Sequence, residues 1–157
     1  MYQNILVPTD GSAAARTASS HAVDLADLCE GQIHTLHVID TDAMAHAVPS
    51  KTIKQLEAGQ LDEHPEASTR GKNATHDVVA TANEAGIEAT QSIRAGRPHT
   101  EIINYARMND IDLIVMGSRG HSGISRLLLG STTQRVIKKT SIPVLVVDTT
   151  RPDHNSM

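Results

Sequence analysis

At 157 residues, with 39 % apolar and 20 % charged residues, the chain has the size and composition of one globular domain with a sizeable core. A net charge of −4 and only two aromatic residues, Tyr2 and Tyr105, weigh against a nucleic-acid surface, which needs basic patches and stacking platforms. The lone Cys29 rules out an intrachain disulfide and suits a reducing cytoplasm, and the longest apolar runs, Leu113 to Met116 and Val144 to Val147, are far too short to span a bilayer.

Residues 1–7 carry no basic leader, so neither export nor membrane insertion is expected. Asn4 to Val7 reads as the first strand. A helix from Ala13 to Cys29 places Ala18, Ala22, Leu25 and Cys29 on one stripe, and Gly31 is expected to end it in the left-handed conformation. Ile33 to Ile39 reads as the second strand. The segment Asp40 to Ser68, with Pro49 and Pro65, has no clean periodicity and is expected as a loop carrying a short helix over Ile53 to Ala58. A helix from Ser68 to Ala85 then leads to a third strand, Ile87 to Arg94. Pro98 suits the first turn of a helix running to Met108, where a missing N–H costs nothing. Ile111 to Met116 is apolar enough for a central strand covered on both faces. Thr132 to Lys139 is expected as a short helix and Ile142 to Val147 as the last strand, which Pro143 confines to a sheet edge. The alternation predicts βαβ units around an open parallel sheet of an α/β domain, residues 1–148, followed by a polar, disordered tail from Thr149 to Met157.

Function is concentrated after the fourth strand. Met116-Gly117-Ser118-Arg119-Gly120 is followed by Gly130-Ser131-Thr132, a Gly-x2-Gly-x9-Gly-Ser spacing that arises by chance in roughly one chain in a hundred of this size. Phosphate oxygens must approach main-chain N–H groups closely, and glycine removes the Cβ that blocks them. Gly130 and Ser131 then open a helix, whose unpaired N–H groups and positive dipole end attract anions. Ser131 to Gln134 also has capping-box spacing, so an N-cap is the plainer reading of Ser131, and both roles can coexist at one helix end. Arg119, His121 and Arg126 are basic loop residues that either reach phosphate or face solvent. At the end of the first strand, Pro8-Thr9-Asp10-Gly11-Ser12 places a carboxylate that either caps the next helix or binds a ligand's hydroxyls or metal. If strands one and four are neighbours, Asp10 meets the glycines where the winding direction reverses, the usual ligand crevice of an open sheet.

Pro8 to Ser12, His37-Val38, Met116 to Gly123, Leu127 to Ser131 and Pro143 to Val147 together resemble the universal stress protein family over about residues 1–148. The resemblance implies a Rossmann-like fold of the adenine nucleotide alpha hydrolase-like kind, with five strands in the order 3-2-1-4-5 and helices on both faces. It implies ATP, or ADP or AMP, as ligand, with magnesium brought by the nucleotide and Asp10 as its nearest carboxylate. Gly117, Gly120, Gly130 and Ser131 would hold phosphates and ribose, with Met116, Arg119, His121 and Thr132 alongside. Pro8, Thr9 and Asp10 would flank the nucleoside, and Val38 would meet adenine through its backbone. It also points to a homodimer joined through residues 142–147, an apolar strand at an edge open to pairing. The segment from Asp40 to Ser68 matches no pattern of the family.

Other constellations carry less. His34 and His37 lie three apart on a strand and point to opposite faces, so they do not share a metal ion. Neither Gly-x4-Gly-Lys-(Ser/Thr) nor a strand followed by Gly-x-Gly-x-x-Gly occurs, and the signature loops of ATP pyrophosphatases and nucleotidyltransferases are absent. Phosphoryl transfer needs metal-holding carboxylates and a placed nucleophile, and beyond Asp10 no second carboxylate is assigned. A nucleotide-binding regulatory protein of the stress response is therefore the leading expectation. The alternatives are a slow metal-dependent ATPase using the same loop and a dimeric scaffold whose glycines only turn the chain.

Overall fold

The structure is a computed structural model and describes residues 1–118 and 129–148. The elements follow as β1 (Asn4–Pro8), α1 (Ala13–Cys29), β2 (Gln32–Asp40), α2 (Thr41–Met44), α3 (Ser50–Glu57), a 3₁₀ turn (Leu61–Glu63), α4 (Pro65–Glu84), β3 (Ala89–Gly96), α5 (Pro98–Met108), β4 (Leu113–Gly117), α6 (Ser131–Lys139) and β5 (Val144–Val147). All strand pairs are parallel and the sheet order is β3-β2-β1-β4-β5. The chain builds outward from β1 through β2 to β3, then crosses back to add β4 and β5 on the other side of β1. Winding therefore reverses between β1 and β4, and a crevice opens at their carboxyl ends.

Strand periodicity assigns the two core layers. Ile5 and Val7 face one side, where they pack with Ala18, Ala22 and Ala26 of α1 and Val78 and Ala82 of α4. Leu6, between them, faces the other side and packs with Leu36, Ile114, Ile102 and Tyr105 of α5, and Val136 of α6. Small side chains let the helices sit close. A Cβ added at Gly71 in α4 would lie 2.9 Å from Ile93 Cδ1 and 3.2 Å from His37 Cδ2, which explains a glycine inside a helix.

Several sequence expectations shift. Gly31 does not carry the left-handed turn; Glu30 does, with φ of 54°, and Gly31 is needed because a Cβ there would collide with the Tyr2 carbonyl oxygen. Asp40 to Ser68 is more ordered than expected. Asp40 caps α2 by accepting from the Ala43 N–H at 3.0 Å, and Leu56 of α3 closes a small third cluster with Ile39 and Ala95, against Met44, Leu61 and Ala67. α4 starts at Pro65 rather than Ser68, because proline is suited to the first helical position. β3 and β4 both sit later than expected, at Ala89–Gly96 and Leu113–Gly117, and β5 is shorter, with Pro143 just outside it. Pro143 still contributes its carbonyl, which accepts from Ile114 N–H at 3.0 Å, and β5 lies at a sheet edge as expected. Among the described residues no helix is long and apolar enough to cross a membrane; the tail from Thr149 to Met157 lies outside them.

Candidate functional site

A cleft of about 340 Å³ occupies the switch point. The end of β1 contributes Pro8, Thr9 and Asp10, and β2 contributes Leu36, Val38 and Asp40. Met116 and Gly117 come from the end of β4, Gly130 to Thr133 from the start of α6, and Pro98 and Ile102 from α5; Ala15 of α1 completes the wall. Residues from both sides of the sequence thus converge, since parallel strands deliver all their carboxyl ends to one edge. Of the residues expected from the sequence, Pro8, Thr9, Asp10, Val38, Met116, Gly117, Gly130, Ser131 and Thr132 line this single cleft. Arg119, Gly120, His121 and Arg126 lie outside the described residues.

The turn after β1 is held by its own side chains. Thr9 N–H donates to the Leu36 carbonyl at 2.9 Å, and Thr9 Oγ1 accepts from Gly11 N–H at 3.1 Å. Asp10 Oδ1 accepts from Ser12 N–H at 2.9 Å. The cap of α1 is Ser12, whose Oγ accepts from Ala15 N–H at 3.2 Å. Asp10 is therefore not the helix cap, and it remains exposed on the cleft wall.

The opposite wall is built around Gly117. A Cβ there would lie 3.2 Å from the Ala14 carbonyl oxygen, so the glycine lets the end of β4 pass close to the first turn of α1. Thr133 Oγ1 donates to the Gly117 carbonyl at 3.0 Å, and Gly130 N–H donates to the Ser118 carbonyl at 2.7 Å. These bonds hold the start of α6 against the end of β4. Gly130 itself is the N-cap of α6, with Ser131 at the first helical position, one residue off the expected capping box; no side-chain cap is present and no acidic residue lies in the first turn. The glutamine of that expected box donates instead to the Leu129 carbonyl at 3.0 Å, from Gln134 Nε2. Ser118 Oγ is buried at the edge of this region with no hydrogen-bond partner among the described residues.

The sequence reading overlooked Asp40. It found no second carboxylate for the site, yet Asp40 lines the same cleft as Asp10. The signal was available in the period of two along β2: once Val38 is placed, Leu36 and Asp40 share its face. Pro98, Ile102 and Thr133 had no comparable local signal, because their places depend on how α5 and α6 pack.

Among the described residues no histidine lines the cleft. His37 Nδ1 lies 2.9 Å from the Thr9 carbonyl oxygen, and the residue lines a second cavity of about 250 Å³ with Gly11, Arg70, Asn73, Asp77 and Asp10, which borders both cavities. His34 points to the other face, where Nδ1 meets the Tyr105 hydroxyl at 2.9 Å, and burial holds its imidazole below the ordinary range, with Glu88 opposing. His99 of α5 is also buried; burial first, and then the cations Lys139, Arg135 and Arg97, push its pKa down. No group of three or more His, Cys, Asp or Glu suited to a metal ion occurs among the described residues.

A match to the universal stress protein family covers residues 1–148. Universal stress protein MJ0531 of Methanocaldococcus jannaschii is 34 % identical over 147 residues, which cover 94 % of this chain and 82 % of that protein. The solved structure of protein MJ0577, from the same organism, shares 33 % identity at a TM-score of 0.77 and covers 97 % of this chain and 99 % of that one. A universal stress protein of Archaeoglobus fulgidus solved in complex with dAMP has the same fold, with a TM-score of 0.65 at 20 % identity over 93 % of this chain and 98 % of that one. The sheet order, the switch-point cleft and these similarities lead to one conclusion: the chain belongs to the universal stress protein family.

Proposed function

We propose that this chain binds an adenine nucleotide, ATP or its ADP and AMP relatives, in the switch-point cleft and acts as a nucleotide-dependent regulator rather than an efficient enzyme. The observation that carries the reading is the convergence of Gly117, Gly130 and the uncapped start of α6 with Asp10 and Val38 in one cleft. Main-chain N–H groups at a helix start, with no side chain satisfying them, are chemically suited to phosphate oxygens. Leu36, Val38, Pro98 and Ile102 give an apolar slot suited to a flat base, and Asp10 suits ribose hydroxyls or a magnesium ion carried by the nucleotide. Arg119, Gly120 and His121 would complete the phosphate contacts. The dAMP complex of the Archaeoglobus fulgidus relative supports the same ligand class. Residues 1–148 form the binding unit, in a cytoplasmic protein.

Assembly follows from the edge strand β5. Leu145 is 38 % exposed and Ile137 of the neighbouring α6 41 % exposed, and an open apolar edge favours pairing; the protein forms a homodimer through residues 142–147, which light scattering tests.

A cradle of main-chain amides binds the ground state as well as the transition state, which gives affinity without turnover. Isothermal titration with ATP, ADP and AMP in the presence of magnesium tests the reading. ATP at about 100 times its dissociation constant should raise folding stability by about 2.7 kcal/mol, and phosphate release should stay below about 1 per second. No binding of any of the three would leave the scaffold alternative. The ATPase alternative gains one observation, the second carboxylate Asp40 in the cleft, and turnover at ordinary enzyme rates, lost in Asp10→Ala, would establish it instead.

A further inference from the structure

Resting on the nucleotide reading above, we propose that Asp40 selects the base: its carboxylate accepts a hydrogen bond from the exocyclic amine of a 6-amino purine and rejects a 6-oxo purine. The placement comes from β2. Leu36, Val38 and Asp40 alternate along one face of the strand and all line the cleft, so the slot runs from apolar side chains to a carboxylate at its rim. Pro98 and Ile102 of α5 line the same slot.

Electrostatics orients a nucleotide in this cleft. Two helix starts without a side-chain cap reach the cleft, α5 at Pro98 and α6 at Ser131. The first has a proline without an N–H at its first position and Glu101 in its first turn, whereas the first turn of α6, beside β4, holds no acidic residue and is the better anion end. β2 and β4 flank β1 on opposite sides, so Asp40 stands two strand spacings away, about 10 Å. Phosphates are drawn to the α6 end and repelled by Asp40. The reversed orientation would set a triphosphate against a carboxylate. The base is therefore left at the Val38–Asp40 end, where a carboxylate has acceptors only and needs a donor. An exocyclic amine supplies one; a carbonyl oxygen at the same ring position sets lone pairs against lone pairs. Arg97, next to Pro98, does not reverse this preference, because it is engaged by Asp42 at 2.9 Å and is not part of the cleft wall.

Asp40 has a second duty that makes the test clean. One of its oxygens, Oδ1, accepts from Ala43 N–H and caps α2. Asparagine caps helices about as well as aspartate. In Asp40→Asn the amide oxygen must stay on the Ala43 N–H, since an NH₂ group accepts nothing. The amide nitrogen then takes the place of Oδ2 and offers a donor where the native residue offers an acceptor.

ATP and ITP differ at the 6 position of the purine and, with it, at N1, which is an acceptor in ATP and an N–H donor in ITP; they serve as the probes in isothermal titration with magnesium. The native protein should prefer ATP by about tenfold or more, and Asp40→Asn should lower that ratio by roughly tenfold, weakening ATP and tightening ITP, with an unchanged melting temperature. Asp40→Ser, which also caps, removes the acceptor without adding an amide donor and should lower the ratio through ATP alone. A ratio that stays the same in both variants overturns the role of Asp40 and leaves the nucleotide site standing. Equal weakening of ATP and ITP, with loss of magnesium dependence, overturns it as well and moves Asp40 to the metal. If the native protein binds neither nucleotide, the site and the inference fall together.

Discussion

α1 and α6 begin at the same cleft and treat their first turns in opposite ways. At α1, Ser12 Oγ takes the Ala15 N–H and Asp10 Oδ1 takes the Ser12 N–H, so the helix start is satisfied from within the chain. At α6, the N-cap is Gly130, which has no side chain to offer, and the neighbouring bonds, Thr133 Oγ1 to Gly117 and Gly130 N–H to Ser118, consume carbonyls of the preceding strand end. The same helix-end physics therefore yields a structural cap at one wall and an anion-binding end at the other. Gly117 ties the two together, since its missing Cβ lets β4 approach Ala14 in the first turn of α1.

The largest expected effect comes from making α6 resemble a self-satisfied helix. Ser131 is exposed on the cleft wall at the first helical position, so Ser131→Asp adds a negative charge without disturbing the core. ATP affinity should fall on the order of 100-fold, while the charge–dipole interaction leaves stability equal or raises it by about 0.3–1 kcal/mol. Titration with ATP beside adenosine checks this: adenosine should bind almost as before. An unaltered ATP affinity would put the phosphates elsewhere.

Removing the cap of α1 should act in the other currency, stability. Ser12→Ala should cost about 1 kcal/mol and lower the melting temperature by about 2–4 °C for a chain of this length. Its ATP affinity should stay within about twofold, because the cap satisfies the helix and not the ligand. A collapse of affinity with little change in melting temperature would erase the contrast between the two helix starts.

The smallest effect is a pH dependence on the α6 side. α1 packs through alanines, whereas beside α6 lies the buried His99, whose pKa is lowered by burial and by Lys139, Arg135 and Arg97, with Asp42 opposing. A histidine with a depressed folded-state pKa binds its proton more readily in the unfolded chain. Its contribution is fully present above the unfolded value of about 6.5 and is lost as the pH falls through the lower folded value. His34 adds in the same direction. Below about pH 6.5, amide protection relative to the intrinsic exchange rate should therefore fall in α5 and α6 before α1, and His99→Gln should flatten the acid-side fall in melting temperature. Uniform loss of protection across the three helices would remove this difference.

Much of this architecture is legible in the sequence. The helix from Ala13 to Cys29 and the one from Pro98 to Met108 occupy the spans expected, because their signals are local: an apolar stripe in the first and a proline at the first turn in the second. The switch-point cleft was legible because strand alternation and glycine spacing are also written in consecutive residues. The region from Asp40 to Ser68 was not, because its short elements are amphipathic only with respect to a partner: Leu56 has meaning beside Ile39 and Ala95, which lie far from it along the chain. Gly31 misled for a related reason. Glycine serves both positive φ and close approach, and only the position of the Tyr2 carbonyl distinguishes them.

By itself, the sequence determined the α/β class, the resemblance to the family, and those crevice residues whose signal is local, Pro8 to Asp10, Val38, Met116, Gly117 and Gly130 to Thr132, since periodicity and glycine spacing act over a few neighbouring residues. Tertiary structure alone decided which serine caps α1, that Gly130 rather than Ser131 stands at the α6 cap, and that Asp40 shares the cleft with Asp10. Each of these depends on where a distant strand or helix lies. The carboxyl ends of β1, β2 and β4 come together through long-range parallel pairing, and a side chain's chemistry is set by what that pairing brings beside it.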